Sequence, residues 1–424
     1  MLVQFSVKNF MSFKDKVSFS MEAGMGNENE QNIYKIDNMN ERILKSAAIY
    51  GANASGKTNL INAFTAAIRM VRNSSHRQVG EKLIEMVPFA FDEETVSKPC
   101  EFEFIFFVNG LKYVYGFSAD KDKIYEEYLY QYLTAKPTRI FERENVDEYK
   151  FLQSDEGKLN AIKAQNTENK LFLSTATMWN YSKTKDVFLW FADNIDTYLG
   201  GVNLDEKSIE AYENDKDGRL KQFALKLLKI SDIFIKTYDL ETREINLDAD
   251  VMLVLNGKTY PAMSPKKKDI KITMTHEVKN DMGELKEYQL NYKSESLGTQ
   301  IIFSLAPILM QAFEKGNVVV MDEIERSLHP SLVEMIIRFF NDTEINKGNA
   351  QLIFSTHDTN LLSLDLFRRD QIWFAEKDNK KGATDIYPLD DFSVRKTENI
   401  QKGYLNGRYG AIPFVAMGDS LWED

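Results

Sequence analysis

The chain has 424 residues, 43% of them hydrophobic, a formal net charge of −11 and an isoelectric point near 5.2. Its single cysteine, Cys100, excludes a disulfide framework, and the acidic balance argues against tight binding of nucleic acid by the isolated chain. The length allows one or two domains with a large core, no apolar run reaches the length of a membrane span, and Leu2 to Phe13 is unlike a signal peptide, so a soluble, cytoplasmic protein is expected.

Residues Leu2 to Phe13 alternate polar and apolar side chains. Ser46-Ala47-Ala48-Ile49-Tyr50 is a short apolar run fit for a buried strand, and Asn59 to Ile68 has helical apolar spacing. Between them stands Gly51-Ala52-Asn53-Ala54-Ser55-Gly56-Lys57-Thr58, a complete G-x-x-x-x-G-K-[ST] loop. Strand, glycine loop and helix N-terminus make an anion site in which backbone N–H groups point inward, Lys57 reaches terminal phosphates and the Thr58 hydroxyl can ligate Mg²⁺. A bound nucleoside triphosphate follows from that arrangement.

Glu101 to Val108 alternates strongly, and Asn109-Gly110 predicts a hairpin turn before Leu111 to Phe117, with Tyr125 to Leu133 a further strand. The aromatic residues here suit sheet packing better than a base-stacking platform. Val187 to Phe191 and Leu220 to Leu228 show helical spacing. Short strands are expected over 233–293 around Asn256-Gly257 and Met282-Gly283, and Lys266-Lys267-Lys268 is expected in a solvated polar loop rather than on phosphate.

Ser294-Glu295-Ser296-Leu297-Gly298-Thr299-Gln300 precedes the apolar Ile301 to Ala306, a small turn opening a helix. Val318-Val319-Val320-Met321 suits a central parallel strand buried on both faces, with Asp322 and Glu323 at its carboxyl end, where ligands of open α/β sheets bind. Asp322 can hold the water shell of Mg²⁺, and Glu323 can orient or deprotonate an attacking water. Gln351 to Thr356 is another strand, ending at His357, which is placed to meet a γ-phosphate or that water.

Phosphate loop, Ser-Leu-Gly-Thr-Gln turn, Asp322-Glu323 strand and Ser355-Thr356-His357 occur in the order of ABC-type ATPase heads, and the chain resembles the soluble branch that includes SMC proteins, RecF and the OLD-like ATPases. Asn9-Phe10-Met11-Ser12-Phe13 resembles that branch's Asn-Phe-x-Ser-Phe turn, and Glu325-Arg326-Ser327-Leu328-His329-Pro330 its Glu-x-x-Leu-His-Pro segment. Gly403 to Pro413 resembles the tail of single-chain ATPases of bacterial anti-phage systems such as RloA and the PARIS ATPase subunit. The resemblance implies an α/β P-loop head, here with an antiparallel β-subdomain; where SMC proteins carry a long coiled coil, sustained heptads are lacking and Gly200-Gly201, Pro261 and Pro265 interrupt the pattern, so a compact α+β insertion is expected instead. The expected division is 1–135 and 291–424 for the head and 136–290 for a partner-recognition insertion.

It further implies ATP and Mg²⁺ as ligands, held by Gly51, Asn53, Ser55, Gly56, Lys57, Thr58 and Asn59, with Thr58 and Asp322 on the metal. Glu323, His357 and Lys57 are the expected catalytic groups, and Ser296 and Gly298 complete the site of a second copy in a homodimer or higher homo-oligomer. Three departures stand out. The turn reads Ser-Leu-Gly-Thr-Gln where transporters have Leu-Ser-Gly-Gly-Gln; the usual linking glutamine has only Gln78 or the Pro88-Phe89 segment as counterparts; and about 65 residues follow His357, too few for the nuclease domain of OLD proteins. These features suggest the sensor of an anti-phage system that controls a separate nuclease or toxin, triggered by a phage protein or by altered DNA, with DNA binding not favoured by charge and no membrane partner. A RecF- or SMC-like DNA-repair ATPase and a stand-alone P-loop kinase or GTPase are the alternatives.

Overall fold

The computed structural model describes residues 1–36, 41–246, 252–255, 258–261, 266–395 and 397–413. They form two compact units, Met1–Gly201 with Gln311–Asp424, and Val202–Met310. The first unit opens with β1 (Leu2–Lys8) and β2 (Val17–Ser20), the antiparallel pair β3 (Ile33–Ile36) and β4 (Glu41–Leu44), and β5 (Ser46–Tyr50), which leads into α1 (Lys57–Asn73). After a single helical turn, α2 (Glu93–Val96), come β6 (Cys100–Val108), β7 (Leu111–Ala119), β8 (Ile124–Tyr132), β9 (Pro137–Glu144) and β10 (Glu148–Phe151). Helices α3 (Glu156–Lys163), α4 (Phe172–Met178) and α5 (Ser182–Asp193) then lead to β11 (Ile195–Tyr198).

The second unit holds α6 (Glu206–Glu213), α7 (Arg219–Ile230), β12 (Thr237–Asn246), β13 (Met252–Leu255), β14 (Lys258–Pro261), β15 (Lys266–Lys279), β16 (Leu285–Asn291) and the start of α8 (Leu297–Lys315). The chain closes the first unit with β17 (Val318–Met321), α9 (Pro330–Asn341), β18 (Gln351–Ser355), β19 (Ile372–Lys377), β20 (Thr384–Pro388) and α10 (Ile400–Leu405).

Two sheets organise the first unit. The antiparallel one runs β10-β9-β8-β7-β6-β1-β2, and Asn109 and Gly110 both take positive φ (49° and 76°) in the predicted two-residue turn. The other runs β11-β17-β18-β5-β19-β20, parallel except at its β19–β20 edge. Every residue of β5, β17 and β18 is buried, as a parallel strand covered on both faces requires. Helix α1 packs on the antiparallel sheet: Phe64 stacks on Phe5 at 3.9 Å and meets Phe104 edge-on at 6.1 Å. Trp190 of α5 stacks on Phe106 at 4.1 Å. Each such ring removes apolar area from water worth about 2 kcal/mol, so the helix behind the phosphate loop is firmly seated.

The antiparallel sheet continues through β9 and β10 to Phe151, beyond the boundary expected at residue 135, and α3 to α5 and β11 also belong to the first unit. Helix α4 has no capping side chain of its own. Glu127, fully buried on β8, supplies the cap: it accepts from the amides of Phe172 (2.5 Å) and Leu173 (2.9 Å) and from the Tyr115 hydroxyl (3.0 Å). Burial raises its carboxyl pKa against these bonds and the Arg143 charge.

In the second unit the sheet β12-β15-β16 is antiparallel, and its core centres on Tyr212, stacked on Phe303 at 4.5 Å with Tyr238 edge-on to both. Lys266-Lys267-Lys268, expected in a loop, instead begin β15, paired in register with Glu244 to Asn246. The Asn256-Gly257 turn lies outside the described residues. Among the described residues, the one helix with the length and apolarity of a membrane span is α8; its Ile302, Phe303, Leu305, Ala306, Leu309 and Ala312 are buried, the pattern of a core helix.

Candidate nucleotide site

The loop Gly51–Gly56 leaves the carboxyl end of β5 and turns directly into α1. Gly56 sits at φ 110°, and a Cβ there would lie 2.4 Å from the Thr384 Oγ1, so no larger residue fits. No side chain caps α1, which leaves the amides of its first turn facing the loop. Lys57, 5% exposed, donates from Nζ to the carbonyl oxygens of Gly51 (2.8 Å) and Ala52 (3.1 Å). Burial lowers its pKa from 10.5 to about 8, opposed by the carboxylates of Asp322, Glu325 and Glu323. Asn53 and Thr58 are exposed, and Asn59 donates to the Ser12 hydroxyl at 2.8 Å.

Strand β18 pairs with β5 and β17 pairs with β18, all three parallel, so their carboxyl ends lie at the same end of the sheet. Backbone pairing between them stops at Met321 and Phe354, and Ser355 then ties the two ends together. Its hydroxyl donates to Asp322 Oδ1 at 2.5 Å and accepts from the Glu323 amide at 2.8 Å, while its carbonyl accepts from the Ile324 amide at 3.2 Å. Glu323 itself takes φ 50°, a backbone conformation L-residues rarely adopt, held here by the bond of its amide to Ser355. The His357 amide donates to Glu325 Oε1 at 2.6 Å. Burial, then the Lys57 charge, lowers the His357 pKa, favouring the neutral ring, although its side chain reaches the surface.

A cleft of about 910 Å³ opens beside the loop, lined by Ala52 to Ser55, by Phe89 and Phe91, and by Lys14, Lys377, Lys380 and Lys381. Phe89 of the Pro88-Phe89 segment therefore reaches the loop's cleft; Gln78 is not among its lining residues, and its carbonyl accepts from the Glu81 amide in a local turn and from the distant Asn169 side chain. The Asn-Phe-x-Ser-Phe turn explains this placement. Asn9 donates to Thr95, Lys98 and Pro99 carbonyls and accepts from the Phe89 amide at 3.1 Å, while Ser12 meets Thr384 Oγ1 at 2.9 Å. Thr384 in turn donates to the Ser55 carbonyl at 2.9 Å. Thr384, Phe91 and the lysines of the β19–β20 hairpin carry no motif, so sequence reasoning missed them.

A second cavity of about 300 Å³ flanks the loop's other side, between Gly51 to Asn53, His357, Thr359 and the tail residues Tyr404, Ile412 and Pro413. The tail is pinned there: Tyr404 stacks on Phe374 and donates to the Ala411 carbonyl, and Glu376 Oε1 accepts from the Ala411 amide at 3.2 Å.

Ser296 and Gly298 belong to the second unit. Ser296 Oγ accepts from the Thr299 amide at 3.1 Å and so caps α8, and Glu295 before it is paired with His276 at 2.7 Å.

The residues present fit a magnesium nucleotide. Ser55 Oγ is buried in the loop without a hydrogen-bond partner, a polar atom that a phosphate-bearing ligand would satisfy. Among the described residues no three His, Cys, Asp or Glu side chains cluster as a metal cage.

Residues 46–363 match the family described as "AAA domain, putative AbiEii toxin, Type IV TA system". No curated protein matches the sequence. Among solved structures, the SMC head domain from Thermotoga maritima is similar with a TM-score of 0.39 and 14% identity, over 91% of this chain and 98% of that one. The Smc head domain with an extended coiled coil bound to the C-terminal domain of ScpA, derived from Pyrococcus furiosus, gives 0.39 and 12% over 91% and 96%. The cbiO1 protein from Clostridium perfringens, part of the ABC transporter complex cbiONQ, gives 0.32 and 11% over 96% of each chain. With the match spanning well over half of its length, the chain belongs to this AAA-domain family.

Proposed function

We propose that this member of the AAA-domain family binds and hydrolyses ATP with Mg²⁺, works as a dimer linked by nucleotide, and controls a separate toxic effector in anti-phage defence. One observation carries the chemistry. Strands β5, β18 and β17 are adjacent and parallel, so Lys57, His357 and the Asp322–Glu323 pair stand side by side at one end of the sheet. In this reading Lys57 and the first-turn amides of α1 hold the phosphates. Thr58 and Asp322 hold Mg²⁺, which neutralises charge developing on the phosphates. Glu323 orients the attacking water, and neutral His357 contacts the terminal phosphate. Gly51, Asn53, Ser55, Gly56 and Asn59 shape the cradle.

Ser296 and Gly298 act on the site of the partner copy, so hydrolysis loosens the dimer and the nucleotide state is passed to the effector, a population shift driven by contacts to the γ-phosphate. Of the 136–290 insertion, the part that lies in the second unit, from Val202 onward, is the proposed partner-recognition element. The family's description as a toxin–antitoxin component and the resemblance of the Gly403–Pro413 tail to defence ATPases support the biological role. The net charge of −11 favours it over a DNA-repair ATPase.

A plating assay across a broad phage panel tests that role, with the intact operon and with Lys57→Ala in it. Protection that depends on Lys57 is expected. Equal plaque numbers with and without the operon would remove the defence role, and salt-sensitive stimulation of hydrolysis by DNA would favour repair.

A further inference from the structure

Beyond the ends of β17 and β18, two cross-strand ties fix the acidic segment to the segment carrying His357. The first is Ser355, bonded to Asp322, Glu323 and Ile324. The second is Glu325. The Thr356 amide still donates to the Ile49 carbonyl of β5 at 3.1 Å, so His357 is the first residue past the sheet whose amide turns to a side chain instead. A charge-assisted bond of 2.6 Å to a carboxylate is stronger than a neutral one. The other oxygen, Glu325 Oε2, is buried with no partner, as is the nearby Tyr50 hydroxyl, so that oxygen is kept from water at a cost while Oε1 holds the amide.

Resting on the reading that His357 contacts the terminal phosphate, we propose that Glu325 is a positioning residue: it sets the His357 loop against the acidic strand and governs turnover without contributing to nucleotide affinity. The carboxylate itself touches neither phosphate nor water in this scheme. It acts through His357, because a loop free to shift by an ångström loses most of the benefit of a positioned ring.

The test uses the full chain and measures kcat, KM and ATP affinity by direct titration for Glu325→Ala, Glu325→Gln, His357→Ala and the double variant Glu325→Ala/His357→Ala. Glu325→Ala should lower kcat at least about tenfold with affinity within about twofold, and Glu325→Gln, whose amide oxygen still accepts, should fall between it and wild type. In the His357→Ala background, Glu325→Ala should add no further loss, since residues acting as one unit are not additive. Wild-type kcat in Glu325→Ala, a parallel fall in affinity, or a full further loss in the double variant would overturn the assignment. A wild-type rate for His357→Ala would instead defeat the functional reading beneath it. Should Glu325→Ala not fold, selective ¹⁵N-histidine labelling of a chain with four histidines reports the bond directly. The His357 amide proton should lie far downfield and move upfield in Glu325→Gln; an unmoved resonance contradicts the proposal.

Discussion

Nucleotide binding should take up a proton at mildly alkaline pH. Lys57 is lowered to about 8, below its ordinary 10.5, because burial strips water from its ammonium by more than the nearby carboxylates of Asp322, Glu325 and Glu323 restore. At roughly 1.4 kcal/mol per tenfold change in acidity, that displacement is worth about 3 kcal/mol. Below pH 8 the folded and unfolded chains both carry the proton; between 8 and 10.5 the unfolded chain binds more, so this group's contribution to stability rises with pH across that window. Phosphate binding runs the other way, since it requires the ammonium, while the phosphates keep a constant charge there. ATP affinity should weaken about fivefold between pH 8 and 9 and approach tenfold per unit beyond. Isothermal titration at pH 8, in two buffers of different ionisation enthalpy, should show uptake of about half a proton per nucleotide. Identical heats in both buffers, with flat affinity from pH 7 to 9.5, would refute the placement of Lys57 against the phosphates.

Ser355→Ala removes the donor to Asp322 and the acceptor of the Glu323 amide, together about 3 kcal/mol. A stopped-time phosphate assay should show kcat down at least about tenfold with binding kept, and an unchanged kcat would count against the tie. Glu127→Ala leaves the Phe172 and Leu173 amides and the Tyr115 hydroxyl without their acceptor, and urea unfolding should show a loss of about 3 kcal/mol. A midpoint equal to wild type would mean the cap is dispensable. Mixing inactive Ser296→Arg with inactive Lys57→Ala chains should restore part of the hydrolysis, because some heterodimers then hold one intact site. No recovery from verified heterodimers would mean that each chain works alone.

The phosphate loop, β17 and β18 were legible because their signals are local: a complete glycine motif and uninterrupted apolar runs. The Asn109-Gly110 hairpin was equally local. What the sequence hid is set by long-range contact. Strand β11 is four residues long and joins the edge of the parallel sheet only through its pairing with β17. Strands β9 and β10 are polar and exposed enough to read as the start of an insertion, yet their register with β8 makes them part of the head's sheet. Lys266 to Lys268 looked like a loop because three lysines have no apolar alternation, and pairing with β12 overrides that local preference. At the site, Thr384 and Ser12 are 372 residues apart and meet only in the fold, as do Glu325 and His357 across 32 residues.

Whether Lys57 binds the nucleotide and Glu323 turns it over is decided by phosphate release from the purified chain with Mg²⁺ and ATP, compared with Glu323→Gln and Lys57→Ala. Turnover is expected in wild type, nucleotide binding without turnover in Glu323→Gln, and loss of binding in Lys57→Ala. Equal turnover in all three chains would contradict both roles.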